Sequence, residues 1–143
     1  MPPRLARLYW QLTALLLAAH FAGAPHALAA AMALTALNAA HALVRLRHPL
    51  ALPVQVRVSY LGLLLAGCWP PLQVLHPLQF IGVNLLLVAD YCVLARLLAL
   101  LPWNRTVPLS RRLLVWLLMA PPAPGAITAR LREAMEREVQ AVG

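Results

Sequence analysis

The chain has 143 residues, of which 62% are hydrophobic and 11% are charged, and its formal net charge is +8. A soluble domain of this length cannot bury so much apolar surface, and a disordered chain would be poorer in apolar residues and richer in charge. Two cysteines are too few for a disulfide-stapled miniprotein. The composition therefore predicts an all-α integral membrane protein.

The basic residues are the second informative feature, because all twelve of them are arginine. They are scattered between apolar runs and form neither a basic stripe nor a platform interleaved with aromatic residues. We therefore expect no nucleic-acid partner. We interpret the distribution of the positive charge instead as an indication of membrane topology.

Thirteen prolines divide the chain into apolar segments, since proline disrupts helix interiors and is tolerated at helix ends. A membrane-spanning helix needs about 20 residues, with a range of about 17–25. The segments predict four transmembrane helices, at residues 8–24, 26–44, 54–69 and 78–101. The third is short, about 24 Å at about 1.5 Å per residue. It crosses the bilayer fully only if the bilayer thins or the helix continues through Pro70 and Pro71.

The arginines predict the orientation of these four segments. With four spans every arginine falls on one side, and the links at 23–26 and 70–77 contain none. The positive-inside rule makes that side the cytoplasm and places both termini there. The alternative is a signal peptide within residues 1–29, cleaved after Ala27-Leu28-Ala29. Its removal would leave three spans, and the arginines would then no longer all fall on one side. The bias toward alanine, leucine and arginine favours a bacterial inner membrane, and an aromatic belt is predicted at helix ends from Tyr9, Trp10, Trp69 and Trp103.

The C-terminal part has a different character, and we divide the chain into a transmembrane domain at 1–108 and a cytoplasmic segment at 109–143. Ser110 is the predicted N-cap of a helix from Arg111 to Ala120 that is too short to span and is expected at the inner membrane surface. Residues 126–143 have the pattern of an amphipathic tail helix. Its apolar positions are Ile127, Leu131 and Met135, and its i,i+4 pairs are Arg132–Glu136 and Glu133–Arg137.

Polar residues inside the apolar segments are the candidates for chemistry, because ionisable groups in a membrane are costly and face the protein interior. Asp90 is the only acidic residue before Glu133. A common depth predicts an intramembrane polar cluster with Arg57 as the counter-ion of Asp90. Three interpretations are open: a lock on helix packing, a proton or ion relay, and contacts to a quinone headgroup. The members of the predicted cluster are Asp90, Arg57, Asn38, His41 and Gln11.

A second group of side chains has its place near the predicted outer surface. His20, His26, His76 and Cys68 offer the nitrogen and sulfur donors that bind zinc and related metals. Their spacing matches no metal motif, so they are weak candidates and we expect no metal and no other cofactor. A haem would need two buried histidines at similar depth on facing helices, and His20 and His41 lie at different predicted depths.

Segment 91–98 resembles a family in one local feature. Its sequence, Tyr-Cys-Val-Leu-Ala-Arg-Leu-Leu, is similar to the Cys-Pro-Leu-x-x-Leu-Leu helix end of some small uncharacterised bacterial inner-membrane proteins, with Val93 in place of the proline. The resemblance covers about eight residues and implies an inner-membrane location rather than a reaction.

The sequence contains no phosphate-binding glycine loop, no zinc-protease motif and no nucleophile elbow, so we expect no enzyme. The leading hypothesis is a non-catalytic accessory or assembly subunit, partnered by the lipid bilayer and by a second copy or a larger membrane complex. One alternative is a small proton- or ion-coupled transporter that uses an Asp90–Arg57 pair. A further alternative is a membrane anchor that binds haem or quinone.

Overall fold

The computed structural model describes residues 3–104 and 108–119, together with 133, 136, 137, 139 and 140. All regular structure in these residues is helical, which confirms the predicted all-α class. Single 3₁₀ turns occur at Pro70–Leu72 and Pro102–Asn104. The α-helices are α1 (Pro3–Phe21), α2 (Ala27–Leu46), α3 (Leu52–Gly67), α4 (Leu75–Ala89), α5 (Val93–Ala99) and α6 (Arg111–Met119).

The first three apolar segments form α1, α2 and α3 with ends shifted by a few residues. Pro53 lies in the first turn of α3, where its missing N–H has no helical acceptor to lose. Left-handed residues mark two helix ends, His26 before α2 at φ 63° and Arg47 after it at φ 51°. Two runs, Ala27–Leu46 and Pro70–Ala89, are long and apolar enough to cross a membrane by length and composition, while α3 is apolar but shorter.

The helices pack as an antiparallel bundle. Among the described helices, α1 packs on α2 and α4, and α3 packs on α2, α4 and α5. The rings of Phe21 and Phe80 meet at 5.5 Å, and Arg7 Nη2 donates to the carbonyl of Leu87 at 2.8 Å. The beginning of α1 therefore lies beside the end of α4.

Aromatic packing near the middle of the bundle corrects one part of the predicted aromatic belt. Trp10 is 8% exposed, and its ring meets that of Tyr60 edge-on at 5.1 Å. It belongs to the core with Leu17 and Leu64, so the prediction of an interfacial Trp10 is wrong. Trp69 and Trp103 are exposed.

The fourth apolar segment is interrupted, whereas the sequence predicts one continuous helix over 78–101. Asp90 ends α4 in the left-handed conformation at φ 50°, which aspartate tolerates better than most residues. The amides of Asp90 and Tyr91 both donate to the carbonyl of Leu85. Cys92 then opens α5, because its Sγ accepts from the amide of Ala95 at 3.4 Å. The segment thus forms two helices, α4 and α5.

The helix α6 begins as predicted, since Ser110 Oγ accepts from the amide of Leu113 at 3.0 Å. Leu113 and Leu117 are buried, and Leu117 belongs to the main core. The predicted Glu133–Arg137 pair is formed at 2.8 Å between exposed side chains. The other tail predictions, on Ile127, Leu131, Met135 and the Arg132–Glu136 pair, involve positions outside the described residues.

We predict that Gly67→Ala destabilises the fold by about 1–3 kcal/mol, the usual cost of forcing an extra methyl group into a packed interior. A Cβ at Gly67 would lie 2.5 Å from Nε2 of the buried His76. Unfolding by SDS titration in mixed micelles measures the loss.

Gly62→Ala is the matched control, because a Cβ at Gly62 meets no atom within 4 Å. In a His76→Ala background the cost of Gly67→Ala should fall, since the clashing ring is gone. Equal stability of the Gly67→Ala and Gly62→Ala proteins would contradict the steric account.

Candidate functional site

The centre of the predicted polar cluster is a contact between α2 and α3. Arg57 and Asn38 are both buried, and Arg57 Nε donates to Asn38 Oδ1 at 2.9 Å. Arg57 Nη1 also donates to the carbonyl of Pro53 one turn earlier in α3. These two residues of the cluster therefore meet, and their contact joins two neighbouring helices by a charge-assisted hydrogen bond.

The other three members of the cluster lie elsewhere. His41 Nδ1 lies 3.3 Å from the hydroxyl of Tyr9 on α1, and Gln11 is exposed on α1. Asp90 is exposed after the end of α4, and the ion pairs among the described residues do not include one between Asp90 and Arg57. The reason is the end of α4 at Ala89, which places the carboxylate outside the helix and on the surface. The transporter alternative invoked that pair and has no support from the described contacts.

The structure adds a buried residue that the sequence analysis treated only as an inner-side charge. Arg96 is buried in α5, where its Nη1 donates to the carbonyl of Leu117, and its guanidinium carbon lies 4.1 Å from the centre of the Tyr91 ring. Tyr91 Oη donates to the carbonyl of Leu118 at 2.6 Å. Both acceptors belong to the last turn of α6, where a positive charge is favoured by the helix dipole. The sequence feature that could have identified Arg96 as a buried residue is its position inside an apolar run.

Three of the four candidate metal ligands meet around one pocket. A pocket of about 470 Å³ is lined by His20, Cys68 and His76 among others, and the rings of His20 and His76 are 5.6 Å apart. His26 lies outside it, in the exposed turn before α2. Within the described part of the chain, no group of three or more His, Cys, Asp or Glu side chains is placed to hold a metal. Both cysteines are free thiols.

A second cavity, of about 410 Å³, lies between α3, α4 and α5 and touches Trp10 of α1. Apart from the Trp10 indole, its polar lining comes from Tyr60, Gln79 and Cys92. The apolar lining residues are Val56, Leu63, Leu75, Leu78, Ile81, Gly82, Val83, Leu85, Leu86, Val93, Leu94 and Leu97. It is the kind of apolar pocket with few polar groups that binds small molecules in other proteins.

Gln79 and Tyr60 are joined by two hydrogen bonds across this cavity wall. Gln79 Nε2 donates to the carbonyl of Tyr60 at 2.8 Å, and Tyr60 Oη donates to the carbonyl of Gln79 at 3.4 Å. Gln79 is only 6% exposed, yet its Oε1 accepts no hydrogen bond from the part of the chain that the structure describes. A buried acceptor without a hydrogen-bond donor lowers the free energy of unfolding by about 1–3 kcal/mol. Sequence reasoning missed Gln79, although it is the one glutamine of α4.

Comparisons of the chain with protein-family models, with curated proteins and with solved structures found no match. The function of the molecule therefore has to follow from its own residues. The segment 91–98, which carried the family resemblance, covers the turn after α4 and most of α5.

We predict that Asn38→Leu destabilises the fold by about 1.5–3 kcal/mol, the range for a hydrogen bond to a charged group. The change keeps the side-chain size but removes the oxygen that accepts from the buried guanidinium of Arg57. SDS titration of the purified protein measures the loss.

Asn84→Leu is the matched control, since the Asn84 amide donates at 2.7 Å to Phe80 within its own helix. In an Arg57→Met background the cost of Asn38→Leu should shrink. The same cost in both backgrounds would show that the contact contributes nothing to stability.

Proposed function

We propose that the chain is a four-span protein of a bacterial inner membrane, with both termini in the cytoplasm, and that it serves as a non-catalytic accessory or assembly subunit. The spans would be α1, α2, α3 and the Pro70–Ala89 run, with α5 and α6 packed at the cytoplasmic end. Helices of 19 and 20 residues, α1 and α2, measure about 30 Å at about 1.5 Å per residue, which matches a bilayer core of about 30 Å.

The distribution of polar and apolar side chains supports a membrane environment. Buried positions hold Thr13, Thr35, Asn38, Arg57 and Gln79, while large apolar side chains are exposed on all four proposed spans. Val88, for example, is 87% exposed. A water-soluble bundle has the opposite arrangement, so this surface fits a hydrocarbon solvent.

The positions of the arginines support the orientation. Arg4 and Arg7 lie in the first turns of α1, and Arg45 and Arg47 lie at the end of α2. The bundle places these ends on one side, together with the end of α4. The turns at 22–26 and 68–74 on the other side contain no arginine, as an outward-facing side does under the positive-inside rule.

The observation that carries the assembly role is an exposed alanine face on α2. Ala29, Ala33, Ala36 and Ala40 are all exposed, and their spacing of four, three and four residues puts them on one side of the helix. Small residues in line let a second membrane helix approach closely, and van der Waals packing then holds the pair. We assign this alanine face to a helix of a partner subunit or of a second copy.

To test assembly, Ala33→Phe would be compared with wild type in complexes extracted from native membranes with a mild detergent. Wild type should migrate on a native gel with a partner, above the position of the free 15.6 kDa chain. Ala33→Phe should shift it to the free position, because the bulky ring prevents close helix approach.

Ala18→Phe is the matched control, since Ala18 is exposed on α1 outside the alanine face, and it should assemble like wild type. Co-expression of two differently tagged copies separates self-assembly from a foreign partner. Wild type that migrates only as the free chain would overturn the assembly role.

Topology can be tested by labelling intact cells with a membrane-impermeant maleimide. In a Cys92→Ser background, the exposed Cys68 should react from outside. In a variant lacking both native cysteines, His48→Cys at the opposite end of the bundle should react only after permeabilisation. Labelling of His48→Cys in intact cells, or protection of Cys68 there, would contradict the orientation.

A further inference from the structure

We propose that the cavity between α3, α4 and α5 is a binding site for a membrane-dissolved amphiphile that carries a hydroxyl group on an apolar body. Isoprenoid alcohols and quinols share this chemistry. The inference is independent of the assembly role, because it rests on residues outside the alanine face.

The mouth of the cavity indicates that its ligand arrives from lipid. Lining residues of α4 and α5 are exposed at their outer edges, and the exposed ones are all large and apolar: Leu78, Ile81, Leu85, Val93 and Leu97. A rim of this kind repels water and is compatible with hydrocarbon. The volume of about 410 Å³ falls within the range of about 300–1,000 Å³ that is typical of small-molecule pockets.

The break at Asp90 creates the cavity. Because α5 starts after a left-handed turn, it does not continue the axis of α4. Both helices pack on α3 but make few contacts with each other, and the space between them is the cavity. An uninterrupted helix over 78–101 would have no such lateral gap.

The free acceptor of Gln79 specifies the polar group of the ligand. Gln79 lines the cavity, and its buried Oε1 has no hydrogen-bond donor among the described residues, while the Gln79 amide nitrogen is already committed to Tyr60. A hydroxyl group can donate to Oε1, whereas an ether or a hydrocarbon of the same size cannot. The Tyr60 hydroxyl in the same wall makes a long hydrogen bond, 3.4 Å to the Gln79 carbonyl, and can turn toward the ligand oxygen.

The first test compares a hydroxyl probe with its methyl ether. The full chain in lipid nanodiscs would be equilibrated with tritiated farnesol or tritiated farnesyl methyl ether. Wild type should bind farnesol about three- to tenfold more tightly, which is the effect of one net hydrogen bond. Gln79→Met should bind both probes alike. The role of Gln79 would be overturned if Gln79→Met preferred farnesol over the methyl ether as strongly as wild type does. It would also be overturned if wild type bound the two probes equally well.

The second test fills the cavity. A Cβ added at Gly82, which lines the cavity, meets no atom within 4 Å, and neither does a Cβ added at Gly62 outside it. Gly82→Phe should lose farnesol binding at least tenfold, while Gly62→Phe should bind like wild type, with equal thermal stability in both variants as the folding check. Binding unchanged by Gly82→Phe would place the ligand elsewhere and overturn the site.

Cys92 provides an independent readout, because it lines the same cavity. In a Cys68→Ser background, farnesol should slow the reaction of Cys92 with N-ethylmaleimide, and it should have no such effect in the Gly82→Phe variant. Protection that persists in Gly82→Phe, or no protection in the wild-type cavity, would count against the proposal.

Extraction of the purified protein with organic solvent identifies the natural source. Mass and near-ultraviolet spectra distinguish a quinol from a non-aromatic alcohol, and enrichment of either in wild type over Gly82→Phe supports the site. Identical lipid content in the two proteins would overturn it.

Discussion

The architecture depends on the interruption of the fourth apolar segment at Asp90. A left-handed aspartate ends α4, and the thiol of Cys92 starts α5 two residues later. The offset between the two helices opens the lateral cavity and directs Arg96 and Tyr91 toward the last turn of α6. Without the break, the cavity and the attachment of α6 would both lose their structural basis.

Arginine side chains stabilise the helix ends of this bundle through backbone carbonyls. Arg7 reaches Leu87 in the last turn of α4, and Arg96 reaches Leu117 in the last turn of α6. The last carbonyls of a helix have no intrahelical donor, and the dipole makes that end negative. A guanidinium at this position therefore donates a missing hydrogen bond and also brings a positive charge to the negative end of the helix dipole. The arginines that indicate topology in the sequence thus also act as tertiary contacts in the fold.

Proline and apolar run length are strong local signals, so the helices could be located from the sequence, and capping identified Ser110. A common depth put Arg57 and Asn38 in one polar cluster, but it predicted Asp90 rather than Asn38 as the partner of Arg57. The sequence predicts Asp90 inside a span because apolar residues continue on both sides of it, while a left-handed turn without glycine or proline has no clear sequence signal.

The position of Trp10 near a predicted helix end indicates an interface, but its partner Tyr60 lies 50 residues away in the chain. Long-range packing of this kind cannot be derived from local pattern.

The alanine face and the lateral cavity lie on opposite sides of the bundle. Among the described helices, α2 packs on α1 and α3, and α4 packs on the same two helices. The helices α2 and α4 therefore lie diagonally across the bundle, each beside α1 and α3. A partner helix on α2 would leave the mouth between α4 and α5 open to lipid, so assembly and ligand binding can occur together. Coupling between them could pass through α3, which carries Arg57 toward α2 and Tyr60 toward the cavity, or through α1, which packs on α2 and carries Trp10 toward the cavity.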